Sequence, residues 1–155
     1  IAPVRGNVLT RLRKLDEWAY SALVLDAAGL QRLGLTARIS RFFSIDEMLP
    51  AAGQGILAVQ TRRGVDCACL AQVHDADAAC CAAAERAFVR TIDGGCTSPV
   101  AAYAVTEGEN LLLTGLYVSP DGQTARKGAL RGKKEEAAAL GARLAEQLRK
   151  EAARG

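Results

Sequence analysis

The sequence predicts an α/β lobe followed by an α+β domain, in which helices cover one face of a three-stranded antiparallel sheet. Up to about residue 49, short apolar runs alternate with helical segments, and this alternation is typical of a parallel α/β lobe. From about residue 75, a helical segment, three strand-like runs and a final amphipathic helix follow in order. That order indicates an α+β domain with its helices on one side of the sheet.

The composition indicates a folded protein with reduced thiols. The chain has 155 residues, of which 50% are hydrophobic and 24% are charged, the usage of soluble globular proteins. Its five cysteines are an odd number, which argues against a disulfide framework. No apolar run approaches the ~20 residues that span a bilayer, and no signal-peptide pattern opens the chain. We therefore expect a cytoplasmic protein without a membrane partner.

A basic helix is predicted near the start, with Asn7 as its N-cap and its end at about Tyr20. Its apolar stripe consists of Leu9, Leu12, Leu15 and Ala19. Arg11 lies one turn after the cap and Arg5 lies just before it. Because helix starts and guanidinium groups both favour carboxylates, the pattern predicts a small-anion site, with a solvated basic face as the alternative. The stretch has no nucleic-acid motif, so no nucleic-acid partner is expected.

Two further apolar runs, residues 22–25 and 56–59, predict buried strands. Residues 26–29 are predicted to form a turn, followed by a helix with Arg32 near its beginning. In a parallel lobe, Arg32 then shares a sheet edge with Arg5. Gly53-Gln54-Gly55 precedes the second run, but it lacks the third glycine of a dinucleotide fingerprint, so a nucleotide site is rejected.

The Ala-rich region from residue 67 to 92 predicts two helices, the second capped by Asp75 or Asp77 and burying one side. The buried side consists of Cys81, Ala84, Phe88 and Ile92. The same region offers possible zinc ligands, namely Cys67, Cys69, His74, Cys80 and Cys81. Their spacing does not match the usual ligand pairs, and adjacent helical cysteines point about 100° apart. We predict no metal site and interpret these cysteines as small core residues.

Cys96 is the predicted functional residue. Gly94 and Gly95 precede it and allow a sharp turn after the helix, and Pro99 stiffens the far side of the loop. A thiol on a loop between rigid elements suits covalent chemistry, whereas the alternative is a small buried side chain. Strands are predicted at residues 100–105, 111–118 and 123–130, and a helix at 133–152. Cys96 therefore heads the first strand, at a domain margin.

Five segments together resemble one protein family, porphobilinogen deaminase. They are Arg5-Gly6-Asn7 with Thr10-Arg11-Leu12-Arg13-Lys14-Leu15, then Ala27-Ala28-Gly29-Leu30 with Arg32, Leu49-Pro50-Ala51-Ala52-Gly53-Gln54-Gly55, Ala84-Glu85-Arg86-Ala87, and Gly94-Gly95-Cys96 before Pro99. They follow the family's order over nearly the whole chain. Thr97-Ser98 departs from the family's commoner pairs, but it lies beside the thiol.

The resemblance implies a three-domain enzyme of which this chain is the rear part. Residues 1–49 are then the rear of a second, periplasmic-binding-protein-like α/β domain. Residues 50–74 return to the first domain, and residues 75–155 form the third, cofactor-anchoring domain. The first domain, with its catalytic aspartate, is expected from preceding sequence or a companion chain, since the chain opens at Ile1 and its only methionine is Met48. We expect the chain alone to be inactive, Asp26 not to replace the aspartate, and the full enzyme to be monomeric.

The resemblance also implies the chemistry. Cys96 would hold a dipyrromethane cofactor through a thioether, and four porphobilinogen molecules would be joined to it, with loss of ammonia, to give hydroxymethylbilane. Arg5, Arg11 and Arg32 would bind the carboxylates of the cofactor, the substrate and the growing oligopyrrole. The cleft would be lined by Asn7, Gly29, Gln54 and Gly95. The alternatives are a zinc-binding or small-anion-binding module without catalysis.

Overall fold

The computed structural model describes residues 2–64, 68–92 and 99–154. These residues fall into two units, Ile1–Ser44 and Ile45–Gly155, and each unit is described by itself. Among the described residues, no helix combines the length and the apolar character that crossing a bilayer requires. The described ranges also contain short 3₁₀ turns at Thr36–Arg38, Ala68–Gln72 and Lys134–Glu136. The predicted boundaries after residues 49 and 74 stay predictions.

Helix α1 spans Val8–Asp16 and begins as predicted. The side-chain oxygen of Asn7 accepts a hydrogen bond from the Thr10 amide at 2.8 Å. This bond satisfies one of the N–H groups that have no partner inside the helix. The predicted apolar stripe is only partly buried, because Leu12 is buried whereas Leu9 is 58% exposed.

Helix α1 ends earlier than the predicted Tyr20 because the backbone turns left-handed at Trp18, where φ is 58°. The next amide, that of Ala19, donates to the Lys14 carbonyl at 3.0 Å and closes the last turn. Glycine usually occupies this left-handed position. A tryptophan gives no such signal in the sequence, and its side chain is 91% exposed.

Helix α2, Ala27–Arg32, begins where a turn was predicted. The two carboxylate oxygens of Asp26 accept hydrogen bonds from the amides of Ala28, at 3.3 Å, and Gly29, at 3.0 Å. These bonds start the helix directly after Asp26. The prediction that Arg32 lies near the beginning of the helix is therefore wrong, since Arg32 is its last residue.

The two strands predicted at residues 22–25 and 56–59 are not formed. A strand requires a neighbour to accept and donate its ladder hydrogen bonds, and within the described ranges no strand pairs with either segment. Several of their apolar side chains are exposed, at 64% for Val24, 77% for Leu57 and 65% for Val59, whereas Leu23, Leu25 and Ile56 are partly buried. The parallel sheet of the predicted α/β lobe is thus absent from the described residues.

The second unit contains the predicted antiparallel sheet. Its elements are α3 (Ala76–Thr91), β1 (Ala101–Glu107), β2 (Asn110–Val118), β3 (Ala125–Lys133) and α4 (Ala137–Ala153). The strands pair antiparallel in the order β1-β2-β3. Asp75 caps α3 by accepting a hydrogen bond from the Ala78 amide at 3.0 Å. The meander and both flanking helices confirm the α+β prediction, whereas the helix predicted before Asp75 is only a 3₁₀ turn.

Helices α3 and α4 cover the same face of the sheet, as predicted. At Gly115 on β2, an added Cβ would lie 2.5 Å from the Phe88 ring of α3 and 3.1 Å from Leu144 of α4. Glycine therefore lets both helices approach the sheet closely. The largest fully buried side chains are Phe88, Leu111, Leu113, Leu140, Leu144 and Leu148.

The side of α3 that was predicted to be buried faces this core. Ala84 and Phe88 have no exposed surface. Cys81 and Ile92 are partly buried and pack against the same cluster. The helical spacing of these four residues was sufficient to predict which side of α3 is buried.

Candidate functional site

Three predicted site residues, Arg5, Asn7 and Arg11, lie together at the start of α1, and we call them the helix-start cluster. The backbone bends at Gly6, where φ is 123°. The Arg11 side chain reaches back, and its Nε donates to the Gly6 carbonyl at 2.7 Å. Lys14 Nζ donates to the Arg5 carbonyl at 3.1 Å. Two basic side chains thus hold the residues before the cap against the helix.

The helix-start cluster favours an anionic group. A guanidinium has five N–H donors, and the bond to Gly6 uses only the Nε donor of Arg11. Arg11 is half-buried and Arg5 is exposed. The first turn of α1 contains no acidic residue, so the positive end of the helix dipole is not offset there.

Helix α2 begins beside this cluster. A Cβ added at Gly29 would lie 3.8 Å from Cγ2 of Val8, the first residue of α1, and 3.4 Å from Oδ2 of Asp26. Gly29 therefore lies near the first residue of α1, and its role in lining a cleft stays a prediction. Arg32 is exposed at the far end of α2, three residues or about 4.5 Å along the helix axis from Gly29.

Asp26 has a structural role in this unit. Both of its oxygens accept hydrogen bonds from the first amides of α2, which accounts for a carboxylate at this position without catalysis. That Asp26 has no catalytic role stays a prediction.

The remaining predicted site residues belong to the second unit. Gln54 is exposed in a turn where its amide donates to the Ala51 carbonyl at 3.0 Å. Cys96 and Gly95 lie outside the described residues, so their roles stay predictions. The first described strand after them, β1, begins at Ala101, five residues beyond Cys96.

A buried carboxylate that was not predicted connects the Gln54 turn to β1. Glu85 on α3 is only 4% exposed. Its Oε2 accepts a hydrogen bond from the Gly53 amide at 2.6 Å, and its Oε1 accepts one from the Ala104 amide at 2.8 Å. Burial raises the pKa of Glu85 above its usual value, and these two amides oppose that rise. We call these three residues the Glu85 clasp.

The sequence did contain a signal for Glu85. It lies four residues after Cys81 and three before Phe88, so helical spacing places a charged residue on the buried side of α3. Buried carboxylates are rare unless they are hydrogen-bonded, so this position pointed to a specific partner.

Among the described cysteines, Cys80 and Cys81 are partly buried, whereas Cys69 is exposed, so the interpretation of Cys69 as a small core residue is wrong. The thiol of Cys80 donates to the Lys134 carbonyl at 3.4 Å. Burial raises the pKa of both Cys80 and Cys81. In the part of the chain that the structure covers, no group of three or more His, Cys, Asp or Glu residues is placed to hold a metal ion. Cys67, one of the ligands weighed in the zinc alternative, lies outside that part.

Comparison with known proteins gives consistent matches along the chain. The family model described as "Porphobilinogen deaminase, dipyromethane cofactor binding domain" matches residues 1–68. The model described as "Porphobilinogen deaminase, C-terminal domain" matches residues 79–150. The first match contains the helix-start cluster, and the second contains Cys96. The description of the first model confirms dipyrromethane as the cofactor of the family.

Similar relatives carry the same name. The porphobilinogen deaminase of Acetivibrio thermocellus is 50% identical over 150 residues, which is 97% of this chain and 51% of the relative. That of Alkaliphilus oremlandii is 48% identical over 97% of this chain and 51% of the relative. That of Sorangium cellulosum is 44% identical over 97% of this chain and 52% of the relative. The chain thus spans about half the length of the curated relatives it matches.

Two matches to one family cover most of the chain, and the relatives agree with them in name. This chain belongs to the porphobilinogen deaminase family.

Proposed function

We propose that this chain supplies the cofactor-holding half of a transferase that joins four porphobilinogen molecules, with loss of ammonia, into hydroxymethylbilane. The observation that carries the proposal is the pair of family matches, over residues 1–68 and 79–150. The first match contains a helix start with two arginines and no acidic residue in its first turn. This arrangement suits a substrate whose side chains are carboxylates.

The role proposed for Arg5, Arg11 and Arg32 is charge balance. Each added pyrrole brings two more carboxylates, and a guanidinium binds a carboxylate through two parallel hydrogen bonds. Arginine stays charged at any physiological pH and presents its donors in a fixed plane, which lysine does not. Asn7 and Gly29 shape the backbone around these donors, because one caps α1 and the other lies beside its first residue.

The residues at the helix start fit a cofactor that carries carboxylates, since their free donors are cationic. When bound, dipyrromethane supplies the primer to which the first porphobilinogen is joined. We propose that Cys96 anchors it through a thioether and that Gly95 and Gln54 line the cleft beside it. An anchored primer replaces repeated bimolecular encounters with tethered ones, which favours successive additions.

We propose the three-part division of the family for this chain as well. The segment before residue 50 would be the rear of a periplasmic-binding-protein-like domain, residues 50–74 would return to a first domain, and residues 75–155 form the third. Support comes from the apolar segments 22–25 and 56–59, which pair with no described strand. Their exposed residues Val24, Leu57 and Val59 suit strands that pair with sequence outside this chain. The complete enzyme would then be cytoplasmic, and it would be either a monomer with one longer chain or an assembly of this chain with a companion chain.

A chimera tests the proposed activity. The part of the Acetivibrio thermocellus relative that this chain does not match is placed before residues 1–155. We expect the chimera to consume porphobilinogen and to yield uroporphyrin after oxidation, whereas the 155-residue chain alone gives neither. Sustained turnover by the chain alone would mean that it contains its own catalytic carboxylate. The relative itself serves as the positive control in the same assay. If the relative is active and the chimera unfolds cooperatively but has no turnover, the proposed activity is contradicted.

Replacement of Arg11 or Arg32 by Leu in the chimera should slow elongation or block cofactor attachment. A hydrogen bond to a charged group contributes about 1.5–3 kcal/mol, so the affected step should slow about 10- to 150-fold. Turnover measures the effect on elongation, and the mass of the purified protein shows whether the cofactor is attached.

Arg13→Leu is the matched control, because Arg13 is exposed on α1 and contacts only Glu17, at 3.8 Å, among the described ion pairs. Normal turnover in this control is expected. If Arg11→Leu and Arg32→Leu behave like Arg13→Leu, these arginines are a solvated surface and the proposed role is wrong.

A further inference from the structure

The free edge of β1 is closed by a segment that is not a strand. β1 pairs with β2 along one edge, and the amides on its other edge need different acceptors. The Ala102 amide donates to the Pro50 carbonyl at 3.2 Å. Two residues further, the Ala104 amide donates to Glu85. The chain from Pro50 to Gly53 therefore follows the edge of β1.

The Glu85 clasp is the link that completes this edge. Its two oxygens bond two amides from different parts of the chain, Gly53 in the turn and Ala104 in β1, at 2.6 and 2.8 Å. An apolar side chain of similar size would fill the space but leave both amides without an acceptor, which is unfavourable inside a protein. A carboxylate at this depth is therefore used to join two backbone segments, rather than to pack the core.

The joined segments both lead to predicted site residues. Gly53 is followed directly by Gln54, and Ala104 lies on the strand that follows the Cys96 loop. α3, which carries Glu85, is the helix that precedes the same loop. Glu85 thus links α3, which precedes Cys96 in the sequence, to β1, which follows it, and to the turn of Gln54.

We infer that Glu85 is a positioning residue, which fixes the turn of Gln54 to the edge of β1, the strand that follows Cys96 in the sequence. The inference rests on the proposed function, in which Gln54 lines the cleft that holds the oligopyrrole. Glu85 itself is buried and is not expected to touch the substrate. In this inference, its effect on the reaction passes through the turn that holds Gln54.

Amide hydrogen exchange of the 155-residue chain tests the clasp without any activity. In the unaltered chain, the Gly53 amide should exchange as slowly as that of Ala104, and much more slowly than that of Gly64, which lies in an exposed turn. Glu85→Gln retains one acceptor oxygen, since an amide nitrogen cannot accept. At least one of the two clasp amides should then exchange about tenfold faster or more.

Glu146→Gln is the matched control, because Glu146 is an exposed carboxylate on α4 whose described ion pair is with Lys150 at 3.8 Å. It should leave both clasp amides unchanged. A Gly53 amide that exchanges as fast as Gly64 in the unaltered chain would overturn the inference, even if Glu85→Gln fails to fold.

A double-mutant cycle in the chimera separates positioning from general stability. Gln54→Ala and Glu85→Gln should each lower kcat/KM about tenfold, and the double variant should be no slower than the slower single variant. A purely structural role predicts instead that the two effects multiply. Multiplied effects, or full activity in Gln54→Ala, would overturn the inference. If the chimera without these substitutions has no turnover, the proposed function is contradicted. Hydrogen exchange alone then tests the inference.

Discussion

Cys96→Ser in the chimera should give a protein without covalent cofactor and without measurable turnover. A thioether requires the sulfur atom, and a serine hydroxyl is a far weaker nucleophile at neutral pH than a thiol. Intact mass should fall to that of the bare polypeptide, and the aldehyde colour reaction for pyrroles should be absent. Loss of the tether alone removes an advantage that corresponds to effective molarities of about 10⁵–10⁸ M.

The other cysteines provide the controls for this experiment. Burial raises the pKa of the Cys80 and Cys81 thiols, which disfavours the reactive thiolate. Cys69 is exposed and is therefore the more stringent comparison. Cys69→Ser and Cys81→Ser should retain the cofactor and turnover. A pyrrole colour reaction that persists in Cys96→Ser would show that the cofactor is attached elsewhere.

Gly141→Ala should destabilise the second unit strongly, although alanine is the better helix former by about 1 kcal/mol. An added Cβ on α4 would lie 2.9 Å from the Ala87 Cβ and the Phe88 amide nitrogen of α3, and closer still to the Ala84 carbonyl oxygen. Backbone atoms cannot move aside as a flexible side chain can. Separating the two helices should cost about 3 kcal/mol, or at least about 10 °C in Tm.

Thermal unfolding followed by circular dichroism measures this change. Gly29→Ala is the matched control in α2, because its added Cβ would lie no closer than 3.4 Å to any neighbour. We expect the control to shift the Tm by only a few degrees. Equal Tm values for Gly141→Ala and the unaltered chain would mean that the two helices are farther apart than described.

The sequence was most informative where local pattern and tertiary packing agree. The spacing of Cys81, Ala84, Phe88 and Ile92 identified the buried side of α3, and three strand-like runs predicted the three strands in their order. Both features depend on residues close in the sequence. The meander has the same property, since each strand pairs with the next one along the chain.

The sequence pattern gave wrong or incomplete predictions where the structure depends on residues distant in the sequence or on unusual backbone angles. The apolar run at residues 56–59 has strand composition, but composition does not provide a neighbouring strand. The left-handed Trp18 ends α1 at a position where glycine is expected. The Glu85 clasp joins residues 32 and 19 positions apart, so only the buried position of Glu85, and not its partners, was readable from the sequence.

The antiparallel meander provides a place for attaching probes to this protein. Ala101 pairs with Leu116, so β1 begins at the end of the sheet where β2 finishes, close to the Cys96 loop in sequence. The turn at Gly108, where φ is 60°, lies at the opposite end of β1. Seven strand residues separate the two ends by roughly 20 Å. A fluorophore or surface tether inserted after Gly108 would therefore lie about one strand length from the end of β1 at which the chain continues from Cys96.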